Sequence, residues 1–248
     1  MIIVGDIGNT ETKICLVNSK NIIIKRVTLI TKKINYPSLK KSLAILSLKN
    51  KVIDKCLFCS VDPKLFNEIK SFFNKTYKIK CTELKKLKLN KLIKIKVNYK
   101  QIGSDRLANA ISVINNKDNF IILDFGTATT FDVLIKNTYR GGVIAPGVKL
   151  SLDTLTDKAT QIPKISLKKT NKVVGLNTIS AVRAGFFWGY EGLIDNIVNL
   201  IKKETKMSLK IIITGGFSQL LKNPIKTKVI IDKDITLKGL TKTLKLIK

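Results

Sequence analysis

Asp6-Ile7-Gly8-Asn9-Thr10-Glu11-Thr12-Lys13 follows the apolar run Ile2-Ile3-Val4, and Asp124-Phe125-Gly126-Thr127-Ala128-Thr129-Thr130-Phe131-Asp132 follows Asn119-Phe120-Ile121-Ile122-Leu123. In both places an apolar strand delivers an aspartate to its end. A glycine then allows a tight turn with exposed backbone. Threonine-rich residues and a second strand follow. The two copies stand nearly half a chain length apart, which predicts a duplicated α/β molecule of two similar lobes, 1–115 and 116–248, with the last helix able to pack back on the first lobe.

Between these copies the pattern alternates strands and helices. Residues 2–7, 13–18 and 22–30 read as three consecutive strands. A helix around 38–48, a strand around 55–61 and a helix around 63–74 opened by Asp62-Pro63 come next. Residues 76–100 are lysine-dense and give no clear period. From Ser104 a helix runs to about Asn115, with Leu107, Ala108, Ile111 and Ile114 on one face. The second half adds a Gly/Pro segment at 141–147, a helix around 178–203, a strand at 210–214, the turn Gly215-Gly216 and a last helix from about Leu237.

Composition narrows the chemistry. The chain has 248 residues, 44% of them hydrophobic, enough for one large domain or two lobes. No run of about 18 apolar residues escapes a charge, so a membrane span is not expected. The N-terminal residues read directly as a first strand, without a basic leader, and a cytoplasmic protein is expected. Histidine is absent. That excludes Ser-His and Cys-His nucleophilic schemes, histidine metal sites and histidine general bases. The four cysteines are Cys15, Cys56, Cys59 and Cys81. Cys56 and Cys59 form a C-x-x-C, but within the apolar run CLFCSV and with no second pair to complete a zinc site, so buried, reduced thiols in a strand are expected.

The formal charge of +29 invites a nucleic-acid reading. Only four of the 46 basic residues are arginines (Arg26, Arg106, Arg140, Arg183), and the lysines are scattered. Nucleic-acid surfaces favour arginine for forked contacts and interleave aromatics with the basic patch. A solvated lysine surface is the plainer explanation. It still concentrates anionic substrates such as nucleotides.

Three segments carry the candidate chemistry. In the first turn, backbone N–H groups with Asn9, Thr10 and Thr12 offer donors to one small region, as a phosphate requires, and Asp6 would face nucleotide-bound magnesium through water. A plain hairpin with Asx-turn chemistry explains the same residues. The second copy favours a shared ligand. The strand-end glycines of Ile213-Thr214-Gly215-Gly216-Phe217 would let backbone approach a flat ring or sugar. In Gly103-Ser104-Asp105-Arg106, Ser104 reads as an N-cap and Asp105 as a first-turn acid favoured by the helix dipole. Acids often begin helices for structural reasons alone. With histidine absent and acids scarce, Asp105 beside Arg106 is also a candidate base. Neither a P-loop nor a G-x-G-x-x-G sequence is present.

Two phosphate turns with a Gly-Gly adenosine turn resemble the actin, hexokinase and Hsp70 superfamily. In order, Asp6-x-Gly8-Asn9-Thr10, Gly103-x-Asp105-Arg106, Asp124-x-Gly126-Thr127-Ala128-Thr129-Thr130, Gly141-Gly142-x-Ile144-x-Pro146-Gly147, Gly175-x-Asn177-Thr178-x-Ser180 and Thr214-Gly215-Gly216 are similar to the motif series of type III pantothenate kinases. Asp232-x-x-x-Thr236-Leu237-Lys238-Gly239-Leu240 fits as well, whereas residues 14–95 match only loosely.

This resemblance implies an actin-like (ribonuclease H-like) fold with a mixed sheet in each lobe and the nucleotide cleft between them. It implies phosphorylation of pantothenate by ATP with Mg2+, the first step towards coenzyme A. Asp105 would be the general base, and Gly103, Ser104 and Arg106 would help hold pantothenate. Asp6, Ile7, Gly8, Asn9, Thr10, Glu11, Thr12 and Lys13 would bind the nucleotide phosphates, with Thr127 adding a contact. Asp124 would bind a monovalent cation, K+ or NH4+. Thr178 would touch pantothenate from the partner subunit of a homodimer. The family tyrosine commonly stands further upstream of the Gly-x-Asp-Arg than Tyr99 does, so Tyr99 either fills that role from a shortened loop or is an ordinary half-exposed tyrosine. The rival readings are an idle or regulatory paralogue resembling Bvg accessory factors, another actin-like sugar or acid kinase, and a charge-driven nucleic-acid-binding module.

Overall fold

The computed structural model describes residues 1–48, 51–222 and 228–247, and resolves into two compact units. The first comprises Met1–Ile114 with Asp234–Lys248; the second is Asn115–Lys233. The C-terminal helix is thus part of the first unit.

In the first unit, β1 (Ile2–Ile7), β2 (Glu11–Val17) and β3 (Ile23–Ile30) form an antiparallel meander, and β4 (Lys55–Ser60) and the two-residue β5 (Thr82–Glu83) add in parallel. The sheet order is β3-β2-β1-β4-β5. Strand alternation sends Ile3, Ile7, Cys56 and Phe58 to one face, where α1 (Tyr36–Leu43) and α2 (Pro63–Tyr77) cover them. Phe58, Phe72 and Phe73 pack there as tilted and edge-on rings, and each fully buried ring contributes roughly 1.5–3 kcal/mol. Asn35 caps α1 in a reciprocal box with Ser38, and Asp62 caps α2 through the N–H groups of Lys64 and Leu65. The expected helix at 38–48 is shorter: Leu43 passes into a 3-10 turn at Ala44–Leu46.

The opposite face of β1 and β4 carries α3 (Ser104–Val113) and α7 (Ile235–Thr243). Those two helices approach closely at Gly239, where any Cβ would strike the Ala108 backbone. A short strand β6 (Lys94–Ile95) and 3-10 turns at Leu84–Lys86 and Leu89–Lys91 give the lysine-dense stretch its irregular structure.

The second unit repeats the plan. β7 (Asn119–Phe125), β8 (Ala128–Ile135) and β9 (Thr138–Pro146) form the meander; β10 (Lys210–Gly215) and β11 (Val229–Ile231) add in parallel. Their order within this unit, β9-β8-β7-β10-β11, matches the first sheet strand for strand. The duplication suggested by two short motifs therefore extends to the whole sheet. One face packs on α4 (Val148–Lys158) and α5 (Thr178–Thr205), with α6 (Ser218–Leu221) beside β10. The Gly/Pro segment forms the later part of β9 as far as Pro146, and Gly147 is the N-cap of α4. The strand's alternation is hidden because Gly141 and Gly142 supply no side chains, and Gly141 carries φ +124°. Neither α4 nor β11 is among the elements expected from the sequence.

Candidate active site

The first turn hangs from a strand whose sides have separate duties. Ile7 is buried in the α1/α2 core, while Asp6 points to the α3 face. Gly8 N–H donates to Glu11 O at 3.0 Å, and Thr31 Oγ1 donates to Gly8 O at 2.8 Å, closing the turn from the end of β3. Thr12 is fully buried with Oγ1 3.0 Å from Thr31 Oγ1, so its side chain braces the turn from inside and reaches no ligand from there. Asn9, Thr10 and Glu11 are exposed. Lys13 lies opposite Asp6 in the β1–β2 register and its charge favours the carboxylate.

On the other side of Asp6, β4 sets Cys59 in register, and Cys59 Sγ donates to Asp6 Oδ1 at 3.3 Å. Burial, followed by the negative charge of Asp105, pushes the Asp6 carboxyl up to about 6. Burial also drives the Cys59 thiol well above its ordinary value, with Asp6, Asp105 and Glu83 adding to the shift. It is a hydrogen-bond donor, not a nucleophile. Two carboxylates and a thiol thus converge on the α3 face of the first sheet.

Asp105 enters from α3. The helix begins differently from the expectation: Gly103 is the N-cap, without a side-chain cap, and Ser104 is already helical. The Ser104 hydroxyl is buried and donates to Glu83 Oε1 at 2.5 Å instead. Asp105 itself satisfies the helix end, with Oδ1 accepting from Arg106 N–H at 2.8 Å. Its carboxyl lies so close to Gly103 that a Cβ there would land on Oδ1. Burial raises the Asp105 pKa against the lowering effect of the Arg106 N–H and guanidinium. The side chain is therefore a better base than a free aspartate.

Tyr99 folds back on the same region. Its hydroxyl donates to Lys85 O at 3.0 Å, and Lys85 Nζ sits 5.2 Å from its ring centroid. Burial and the Glu83 charge raise its pKa.

In the second unit the other two signatures are neighbours. Asp124 stands at the end of β7, and Gly126 N–H donates to Ala128 O at 3.1 Å. Register pairs Asp124 with Thr214 and Phe125 with Gly215, and Gly216 N–H donates to Phe125 O at 3.1 Å. Gly215 holds φ +85° and presses on the Phe125 backbone. Gly147 packs as closely on the Thr127 backbone. The Gly-Gly turn is thereby stitched to the second aspartate–glycine turn. Thr129 and Thr130 hydroxyls are buried there without a hydrogen-bond partner. Thr178 opens α5, one residue after the Asn177 cap, and is exposed. It lies in a strongly apolar exposed stretch with Val173, Val174, Leu176 and Ile179.

No group of three or more Cys, Asp or Glu side chains that could hold a metal ion occurs among the described residues.

Comparison with known proteins decides the family. Residues 2–200 match the model of the type III pantothenate kinases. The chain belongs to the type III pantothenate kinase family. A type III pantothenate kinase from Pelagibacter ubique is 85% identical over 248 residues, all of both chains, and one from Zymomonas mobilis is 34% identical over 203 residues, 80% of this chain and 74% of that one. Among solved structures, a Baf family transcriptional activator from Campylobacter jejuni superposes with TM-score 0.63 at 22% identity, covering 98% of this chain and 97% of that one. A ROK family glucokinase from Streptomyces griseus, in complex with glucose and AMPPNP, superposes with TM-score 0.57 at 12% identity, over 99% of this chain and 98% of that one. At such identities the structures establish a shared fold only, that of the sugar kinases and actin-like ATPases.

Sequence reasoning missed three residues that support the candidate site, Cys59, Thr31 and Glu83. Cys59 was read as core, although as the first polar position facing Asp6 across β4 it had a register signal. Thr31 gave none. Glu83 had one: it is the single acid between Thr76 and Lys100, among nine lysines.

Proposed function

We propose that this chain transfers the γ-phosphoryl group of ATP to the primary hydroxyl of pantothenate, giving 4′-phosphopantothenate for coenzyme A synthesis. The observation that carries the reading is Asp105, presented on the first turn of α3 beside Arg106 and facing the same polar region as Asp6, in a chain of this family.

Phosphoryl transfer needs positioning and charge stabilisation more than covalent help. When bound, Mg2+ neutralises the developing charge on the phosphates. Asp6 would orient that ion through water, and the backbone N–H groups of the Gly8–Glu11 turn would receive phosphate oxygens. Asp105, its proton affinity raised by burial, would accept the hydroxyl proton of pantothenate. Arg106 can fork onto a carboxylate or phosphoryl oxygen. Gly103 earns its place by leaving room for the Asp105 carboxyl. In the second unit, Gly215-Gly216 would lie against adenosine, Thr127 would contact phosphate, and Asp124 would hold K+ or NH4+. The partnerless Thr130 hydroxyl, opposite Asp124 in the β7–β8 register, supports a polar ligand on that face.

The exposed apolar stretch at Val173, Val174, Leu176 and Ile179 supports a homodimer, in which Thr178 would reach the partner's pantothenate. No helix among the described residues is long and apolar enough to cross a membrane; a cytoplasmic location is part of the proposal. Mass detection of 4′-phosphopantothenate after incubation with ATP, Mg2+ and K+ tests the reading. ATP consumption without that product refutes it.

A further inference from the structure

Glu83 has both carboxylate oxygens committed, and neither to a lysine side chain. Oε1 accepts from Ser104 Oγ at 2.5 Å and Oε2 from Lys85 N–H at 2.7 Å. Pairing of β5 with β4 fixes where it stands, since Glu83 registers with Phe58, next to the Cys59 that touches Asp6. Its neighbour Lys85 turns the other way along the chain. Lys85 Nζ donates to Ile102 O at 3.0 Å and to Lys100 O at 3.2 Å. The 3-10 turn Leu84–Lys86 and its N-cap Glu83 therefore hold the entry to α3 at two places. Glu83 holds the first helical residue, and Lys85 holds the backbone just before the cap.

This grip matters because α3 has no side-chain cap of its own at Gly103. The bond from Arg106 N–H to Asp105 Oδ1 ties the turn to itself, whereas the Glu83–Ser104 bond ties it to the sheet. A short hydrogen bond to an ionised acceptor is about twice as strong as a neutral one, and a partly buried one is little weakened by water. A carboxylate near a helix N-terminus also gains from the helix dipole. Against that, Glu83 stands near enough to Asp6 and Asp105 that all three act on Cys59, and like charges gathered this way oppose folding. A core requirement alone would be better met by an apolar residue.

We infer that Glu83 is a positioning residue, which through Ser104 fixes the first turn of α3 and so the direction of the Asp105 carboxylate. The inference rests on Asp105 being the base that receives the pantothenate proton.

The test uses the full-length chain with Glu83→Ala, Glu83→Gln, Ser104→Ala and the Glu83→Ala/Ser104→Ala double variant. Steady-state rates are measured against each substrate, with thermal unfolding recorded in parallel. A misplacement near 1 Å predicts that Glu83→Ala lowers kcat roughly 30- to 100-fold, while KM for ATP changes less than about twofold. Glu83→Gln keeps a carbonyl acceptor for the Ser104 hydroxyl and recovers part of the loss. The double variant is no slower than the worse single one, because both break the same link. A Glu83→Ala protein that is less stable but turns over normally per folded molecule overturns the inference, as do additive losses. If Glu83→Ala fails to fold, a Ser104→Ala variant with full kcat overturns it equally. An active parent with an inactive Asp105→Asn and an unimpaired Glu83→Ala defeats the role of Glu83 alone. An inactive parent defeats the assigned function instead.

Discussion

Burial, with the negative charge of Asp105 added to it, pushes the Asp6 carboxyl up to about 6 in the folded chain. The unfolded chain releases that proton near the ordinary value of 3.8. Between these values the folded state binds more protons, so stability falls as pH rises from about 4 to 6 and is flat beyond. A shift of this size corresponds to about 3 kcal/mol of destabilisation at neutral pH, carried by one residue. Asp6→Asn should therefore unfold at higher denaturant concentration than the parent at pH 8, measured without nucleotide, and the difference should vanish near pH 4. A difference independent of pH would show that Asp6 is not held in this way. The same variant should lose activity if Asp6 orients the nucleotide's magnesium as proposed.

Asp105→Asn separates binding from chemistry. The amide keeps an oxygen to accept from Arg106 N–H, so the helix turn is expected to survive. Removing the proton acceptor should cut turnover by a factor of at least about 100 while ATP binding stays nearly intact. Turnover close to the parent's would dismiss Asp105 as the base.

The two glycines after β10 should part company. Gly215 holds φ +85° with the Phe125 backbone pressed against it, and alanine there should destabilise the fold by at least about 2 kcal/mol. At Gly216 a Cβ meets nothing within 4 Å. Gly216→Ala should therefore unfold at the parent's temperature or slightly above it, yet raise KM for ATP about tenfold or more if the turn lies against adenosine as proposed. An unchanged KM would remove Gly216 from the nucleotide site.

The sheet was legible because its signals are local. Each aspartate–glycine turn sits between two β-branched runs, and Asp62-Pro63 marks a helix start that the structure keeps. β9 was not, because Gly141 and Gly142 erase the alternation that marks a strand. The start of α3 shows a second limit. Ser104 is a good N-cap in any propensity table, but a partner 21 residues upstream claims its hydroxyl, and Gly103 caps instead. Asp6 and Asp105 could be named from their motifs. Their mutual influence could not, because it depends on β1 and α3 meeting on one face of a sheet. Thr31 acts on Gly8 through a loop contact that no spacing rule encodes, and Cys59 is legible only once β4 is paired with β1.

Strand geometry also decides the fate of the C-x-x-C. Residues three apart on a strand face opposite sides, so Cys56 and Cys59 cannot pair without rotating β4. Cys56 instead lies 2.9 Å from Cys81 in the α2-side core, and Cys59 lies against Asp6. All four cysteines are buried, and burial raises the pKa values of Cys15, Cys56 and Cys59. Thiolate, the reactive form, is therefore scarce as well as inaccessible. An aromatic disulfide reagent at pH 8 should find almost no thiol in the native chain and four after denaturation. Nucleotide should not change the native result for Cys56 and Cys81, which lie across the sheet from Asp6. Rapid labelling of Cys59 in the folded protein would mean that the thiol is ionised, and it would replace the donor assigned here to Asp6 with a second negative charge.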